Sequence, residues 1–282
     1  MRTTSRFAFA VILGVATALG AAAQDSLPVS RFLTVDGVKI GVVEQGTAGP
    51  SLVFISGLGE DHNTWRKVQP SVSSFALTLS YDRPGLGRSE STTAARGVEN
   101  LSEELQKLLR ASGIPRPYIL VGHSLGGAIV RLFASRYPAD VGGLVLVDPE
   151  DGRLLDSLRA HMDPAQWRDR EAALTEAMPN MPAPVRSELS GLNASSASMS
   201  NLPATQHIPV VLLTGTKKNP SFPGNPMEQD LKLEIHRTDL ARMPGASHVL
   251  VSGSRHYIQD DEPQIVIEAI KSVISSMRPP RS

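Results

Sequence analysis

The 282-residue sequence has no cysteine. Disulfides and a lipid-modified N-terminal cysteine are therefore excluded. It also lacks a net charge: lysine plus arginine and aspartate plus glutamate both number 28. No basic field exists to draw nucleic acid or an anionic membrane, and a nucleic-acid role has no support. Repeats and low-complexity runs are absent too. What is left, 41% hydrophobic and 20% charged, is an ordinary globular composition, long enough for one large domain with an insertion.

Long hydrophobic runs are missing except at the start. Arg2 and Arg6 precede an uncharged apolar stretch, Phe7 to Gly20, that leads into small residues at Ala21 and Ala23. The pattern predicts a secretory signal peptide, residues 1–23, cut after Ala23. The stretch is short for a membrane span and rich in alanine and glycine, so stable membrane insertion is not expected. The expected location is outside the cytoplasm: exported, periplasmic or secreted, of bacterial type.

Beyond the leader, "RFLTVDGVKIGVVEQG" reads as two strands joined at Asp36-Gly37, a hairpin signal. "SLVFIS", "FALTLSY", "PYILVG", "GLVLVD" and "PVVLLTG" are short apolar runs bounded by turn residues, and "ASHVLVS" reads as a last strand. Helical patterns such as Leu101, Leu105, Leu108 and Leu109 separate them. Runs apolar on both faces that alternate with helices predict a doubly wound, mostly parallel α/β sheet. Ligands in such sheets sit outside the carboxyl ends of the strands, so chemistry should follow a strand directly.

One strand end stands out, in "YILVGHSLGGAIVRL" from Tyr118 to Leu132. Ser124 lies between a β-favouring run and the apolar stripe Ala128, Ile129, Leu132 and Phe133, with Gly122 and Gly126 two residues to either side. This is the G-x-S-x-G elbow, a sharp turn that exposes a serine Oγ as nucleophile. A helix N-cap is the plainer role for such a serine, but the strand-turn-helix context favours the nucleophile. An elbow also supplies one oxyanion donor, the backbone N–H of Leu125.

A nucleophilic serine needs a base. Of the histidines that follow it, His248 falls inside the last strand, where a packed role is the default. His256, in "GSRHYIQDDEP", follows that strand and precedes a helix with Asp261 as its cap, Pro263 in its first turn and the stripe Ile265, Ile267, Ile270, Val273 and Ile274. The strand-end rule favours His256.

Taken in order, "ISGLGEDHNTW", "YDRPGLGRS", "GHSLGG", "LVLVDP" and "HYIQDDEP" resemble an α/β-hydrolase-fold serine hydrolase, esterase- or lipase-like, over nearly the whole mature chain. The resemblance implies Ser124 as nucleophile, His256 as base and a loop near the site from Asp82 to Ser89. It implies a second oxyanion donor in the loop after the third strand, here the Leu58 N–H in "SGLG", with Ser56-Gly57 where the family has His-Gly. It further implies a helical cap inserted after the sixth strand, residues 150–207, over a core of 24–149 and 208–282. The cap's methionines (162, 178, 181, 199) and Trp167 suit an uncharged or partly apolar substrate, although methionine more often fills gaps.

The acid is less direct. Such enzymes usually carry it after the strand that follows the cap, but there this chain offers Thr216, Lys217, Lys218 and Asn219. Glu228 and Asp230 come too late, inside the next helix. Some lipase-like relatives take the acid one strand earlier, which points to Asp148 in "LVLVDPED", with Glu150 and Asp151 as lesser candidates. The expectation is a hydrolase of small or medium carboxylic esters, with a small-molecule acyl substrate and no metal or organic cofactor required. C–C bond hydrolysis, lactonase, amidase or acyltransferase chemistry, and a non-catalytic binding protein, stay open as alternatives.

Overall fold

The structure is a computed structural model that describes residues 27–195, 200, 205, 208–218 and 225–277. The leader 1–23 lies outside the described residues, as do Met199 and His207 near the end of the expected cap, and Asn219.

Every run expected to be a strand forms one: β1 Arg31–Val35, β2 Val38–Gln45, β3 Ser51–Ile55, β4 Leu77–Tyr81, β5 Tyr118–His123, β6 Val141–Val147, β7 Val210–Gly215 and β8 Ser247–Val251. The β1–β2 hairpin turns on Asp36 (φ 49°) and Gly37 (φ 82°), two left-handed residues in succession, as the tightest hairpin turns require. Among the described residues the strands make one sheet, ordered β1-β2-β4-β3-β5-β6-β7-β8. β2 runs antiparallel to β1 and β4, and every pairing from β4 through β8 is parallel.

Period-two alternation divides the core into two layers. Val53, Ile55, Leu120, Leu144, Leu146 and Leu212 face one side, where they meet Leu101, Leu105, Leu108 and Leu109 of α2 (Val98–Ser112) and Ile129 and Phe133 of α3 (Leu125–Arg136). Leu52, Phe54, Ile119, Val121, Val145 and Leu213 face the other, against Trp65, Val72 of the single turn α1 (Gln69–Val72), and Val266, Ile270 and Val273 of the C-terminal helix. That helix, α9 (Pro263–Ser276), follows another single turn, α8 (Ile258–Asp261). Its N-cap is Glu262; Asp261, expected as the cap, ends α8 and accepts a hydrogen bond from Ser254 at 3.0 Å.

Between β6 and β7 the chain carries α4 (Arg153–His161), α5 (Pro164–Ala177) and α6 (Ala183–Ala194), and α7 (Asn225–Leu240) leads on towards β8. Chain order reverses direction across β3 and β5, because β4 lies on one side of β3 and β5 on the other. The crevice beyond the carboxyl ends of β3 and β5 is thus the switch point, where a site is expected. Ser56–Gly59 follows β3 there, and Ser124 follows β5.

Candidate active site

The elbow is a strained turn that only its glycines permit. Ser124 has φ 50° and ψ −117°, a conformation that L-residues rarely adopt. A Cβ on Gly126 would lie 2.1 Å from the Ile55 carbonyl oxygen, and one on Gly122 2.5 Å from that of Gly126. Any side chain at either position would push α3 off the end of β3. The turn is anchored at both flanks, since the Ser124 N–H donates to the Val147 carbonyl at 3.1 Å and its own carbonyl accepts from the Glu150 N–H at 2.9 Å. The elbow is therefore bonded to the chain on either side of Asp148.

Asp148 is the second strained residue, with φ 43°; apart from Asp36 in the hairpin, it and Ser124 are the only non-glycine residues with positive φ among those described. Its N–H donates to Leu213 at 2.9 Å, and the Gly215 N–H donates to its Oδ1 at 3.1 Å. The end of β7, which bears no carboxylate of its own, thus supports the carboxylate at the end of β6. Oδ2 accepts from His256 Nδ1 at 2.7 Å and from Lys232 Nζ, on α7, at 2.9 Å. Burial alone would push Asp148 up, but Lys232 and His256 outweigh it and hold the carboxyl well below its ordinary range.

His256 stands on the loop after β8. The carboxylate at Nδ1 fixes the proton there, so Nε2 is left as the acceptor. Burial and the Lys232 ammonium depress its basicity to a pKa of about 4, against the pull of Asp148. A side chain still 33% exposed keeps enough water contact to limit that depression. The ring centroid lies 4.7 Å from that of His123, which immediately precedes Ser124, and His123 Nε2 donates to the His256 carbonyl at 3.1 Å. No hydrogen bond joins the Ser124 hydroxyl to His256 among the described residues. Catalytic contacts of this kind commonly tighten only once substrate is bound.

The loop after β3 is held from both sides. Glu60 Oε2 accepts from the Gly57 N–H at 2.8 Å, and Glu188 Oε2, on α6, accepts from the Gly59 N–H at 2.9 Å. Between them the Leu58 N–H has no hydrogen-bond partner among the described residues, and neither has the Leu125 N–H in the first turn of α3. Two backbone donors are thus left unspent beside the strained serine, as an oxyanion site requires.

Of the supporting groups, Glu60, Arg83 and His123 lie inside the runs that carry the resemblance, without a role of their own there. His123 meets an acceptor at each ring nitrogen, Glu60 at Nδ1 (3.0 Å) and the His256 carbonyl at Nε2, so it must donate twice and be an imidazolium. Burial opposes that charge, but Glu60 outweighs it and raises His123. Arg83, from "YDRPGLGRS", donates to the Ser56 carbonyl at 2.7 Å and to Glu188 Oε1 at 2.6 Å, with both side chains buried. His236 sits behind Asp148. It accepts from Thr214 Oγ1 at 2.7 Å and donates to the Pro149 carbonyl at 3.1 Å, and burial lowers it to a pKa of about 4.

The rival candidates lie elsewhere. His248 is bonded to Thr214 Oγ1 at 2.8 Å, within β8. Asp230 is 62% exposed and paired with Lys218, and Asp151 pairs with Arg131 and Arg153. Among the described residues Glu150 makes no ion pair, and burial pushes its carboxyl up to about 7. Asp61, His62 and Asp82 converge closely enough to hold a metal, but Asp82 and the Leu27 carbonyl already take both ring nitrogens of His62.

A sequence model described as the alpha/beta hydrolase fold matches residues 50–230. The chain belongs to the α/β-hydrolase family. It is 27% identical over 249 residues to the uncharacterized protein YqjL of Bacillus subtilis, which spans 86% of this chain and 91% of that protein. It is 25% identical over 280 residues to 2-(acetamidomethylene)succinate hydrolase of Mesorhizobium japonicum, across 88% of this chain and 96% of that enzyme. Among solved structures, the enol-lactonase of Burkholderia xenovorans superposes with a TM-score of 0.64 at 16% identity, over 87% of this chain and 100% of the lactonase. The α/β-hydrolase is a hydrolase, and its fold suits a small-molecule substrate; no described helix is long and apolar enough to cross a membrane.

Proposed function

We propose that this α/β-hydrolase is a serine hydrolase that cleaves a small or medium carboxylic ester through an acyl-enzyme. The observation that carries the reading is the Asp148–His256 hydrogen bond of 2.7 Å beside a serine held at positive φ. Ser124 Oγ attacks the carbonyl carbon while its proton passes to His256 Nε2. The new C–O bond places charge on the carbonyl oxygen, which the Leu58 and Leu125 N–H groups receive, each worth ~3 kcal/mol in the transition state. The tetrahedral species collapses, the alkoxy C–O bond breaks, and His256 returns the proton to the leaving oxygen. Water, deprotonated by His256, then releases the acid. Asp148 orients the imidazole and stabilises its charged form. No step needs a metal or organic cofactor.

Residues 150–207 act as the cap over this centre in our reading, and residues 1–23 as the export signal. A fluorophosphonate probe tests the chemistry: wild type should label at Ser124, and S124A should not. Labelling elsewhere, or hydrolysis by S124A at more than a few per cent of the wild-type rate, overturns the mechanism. An ester series run beside lactones and amides of matched acyl length separates the rival chemistries. Sequencing of the exported product should begin near Gln24; an intact Met1 terminus on a membrane-bound product would defeat the export reading.

A further inference from the structure

The Asp148–His256 pair has a third member that the proposed reaction does not require. Lys232 projects from α7 with its side chain 12% exposed, donates to Asp148 Oδ2 at 2.9 Å and lies 3.5 Å from His256 Nδ1. Two donors thus share one carboxylate oxygen. The 3.5 Å contact is not a hydrogen bond in the working state, because an Nδ1 bare enough to accept from Lys232 would set its lone pair against the carboxylate at 2.7 Å. Lys232 is instead a cation pressed against the imidazole edge.

Resting on the ester-hydrolase reading, we propose that Lys232 is a positioning residue for this reaction: its ammonium fixes Asp148 as a carboxylate and keeps the resting His256 neutral, with Nε2 free to take the serine proton. A buried carboxylate facing only one histidine can be relieved by a shared proton. Facing a permanent cation as well, Asp148 stays charged across the working range, and α7 locks its rotamer. The cation also opposes a proton on His256, and it does so in company. From β5, His123 presents a second positive ring, balanced by Glu60 from the loop after β3. On the loop itself stands Tyr257, 5.3 Å away between ring centroids. His236 is neutral, and the carboxyls of Glu150 and Glu228 act electrostatically on Lys232. Of these groups Lys232 alone touches both members of the pair.

The sign of its removal follows. Deleting the ammonium removes a repulsion from the imidazolium and returns the whole Asp148 charge to it, so both changes make His256 more basic. In K232Q the acid limb of kcat/KM should move up by about one to two pH units, with KM changed less than kcat. K232R, which keeps a cation there, should hold the limb within about half a unit of wild type.

The histidine can also be followed without turnover, by imidazole ¹⁵N NMR with the His256 signal identified by its loss in H256Q. The titration midpoint should rise in K232Q and stay in K232R. An unmoved midpoint in K232Q, or equal shifts in both variants, overturns the role of Lys232. If the midpoint rises as expected but fluorophosphonate fails to label wild type, the ester-hydrolase reading falls while the electrostatic relation stands.

Discussion

The sheet body and the segment between β6 and β7 are built on different principles. In the body every residue of α3 from Leu125 to Ala134 is buried, and β3, β5 and β7 are buried along their whole length. In the segment, α5 buries only Ala177 and α6 only Val185 and Glu188, while α4 contributes Leu154 and Leu158 to a small cluster with Ile235. The body is held by apolar area, and α6 is held to it by a buried ion pair, Arg83 to Glu188, and by close backbone approach. A Cβ on Gly191 would meet the Arg96 carbonyl oxygen at 2.3 Å. Every group proposed to touch the reacting atoms comes from the body; the segment sends two buried carboxylates into it, Asp151 to Arg131 of α3 and Glu188 to Arg83. On the proposed reading, chemistry belongs to the part with the larger core, and selectivity to the part with the smaller one.

The largest effects should follow changes within the body that leave its packing alone. S124A should lower kcat at least about 10⁴-fold, and D148N should lower it by up to about 10⁴ through loss of the correct tautomer. S124A should melt near wild type, whereas D148N, which takes the charge from the partner of the buried Lys232 ammonium, should melt lower; thermal denaturation alongside steady-state kinetics checks each. If D148N kept near-native kcat while E150Q lost it, the acid would have to be reassigned.

Next in size is the junction. E188A leaves the Arg83 guanidinium buried without its partner and frees the Gly59 N–H, so about 3–5 kcal/mol of stability should go. The loop after β3 should loosen with it, and kcat should fall more than KM rises. Chemical denaturation and kinetics on a short ester read both. If E188A matches wild type in both, the segment is not coupled to the loop, and the division drawn above becomes complete.

How much of this was readable in the sequence divides along the same line. Strands β3 to β7 were legible because a sheet covered on both faces writes itself as short apolar runs, β1 and β2 by their hairpin turn, and the elbow because its glycines answer to close backbone contacts. His256 was legible as a position after a strand, Leu125 through the elbow, and Asp148 and Leu58 through the resemblance, as expectations. Their partners were not: Lys232 sits 84 residues from Asp148, and Glu188 105 from Arg83. An isolated lysine or glutamate on a helical face has the pattern of a solvated residue until the fold supplies the distant partner. His123 hid in the variable position of the elbow motif.

A smaller effect tests whether the body's own polar pair is a support of the same kind. Burial pushes Glu60 up, but His123 and the Gly57 N–H outweigh it and hold the carboxyl at about 2 rather than its ordinary 4.5. A depressed folded value means stability present above pH 4.5 and lost as pH falls towards 2. His123, raised, contributes below its ordinary 6.5 and loses that contribution as pH rises through the folded value. E60Q should therefore flatten the acid side of a plot of melting temperature against pH, and an unchanged slope would mean that the pair adds nothing to stability.

The smallest expected effect on catalysis sharpens the comparison most. Leu158 is 2% exposed and packs with Leu154 and Ile235, where α4 rests on α7. L158A removes that contact without touching any group placed near the reacting atoms, and such a truncation costs about 2–5 kcal/mol where it is felt. In a segment with so little apolar area the loss should appear as local opening rather than global unfolding, so amide exchange should quicken across 153–194 while β3 and β5 keep their protection. On an acetate ester kcat/KM should change by no more than about threefold, since the acyl group ends near the elbow. On longer acyl chains the change should grow with length, because binding energy from the remote part of the substrate is realised against the segment. A uniform loss across all chain lengths would instead mean that α4 supports the catalytic body directly, and the segment would have to be counted as part of the machinery rather than as its selector.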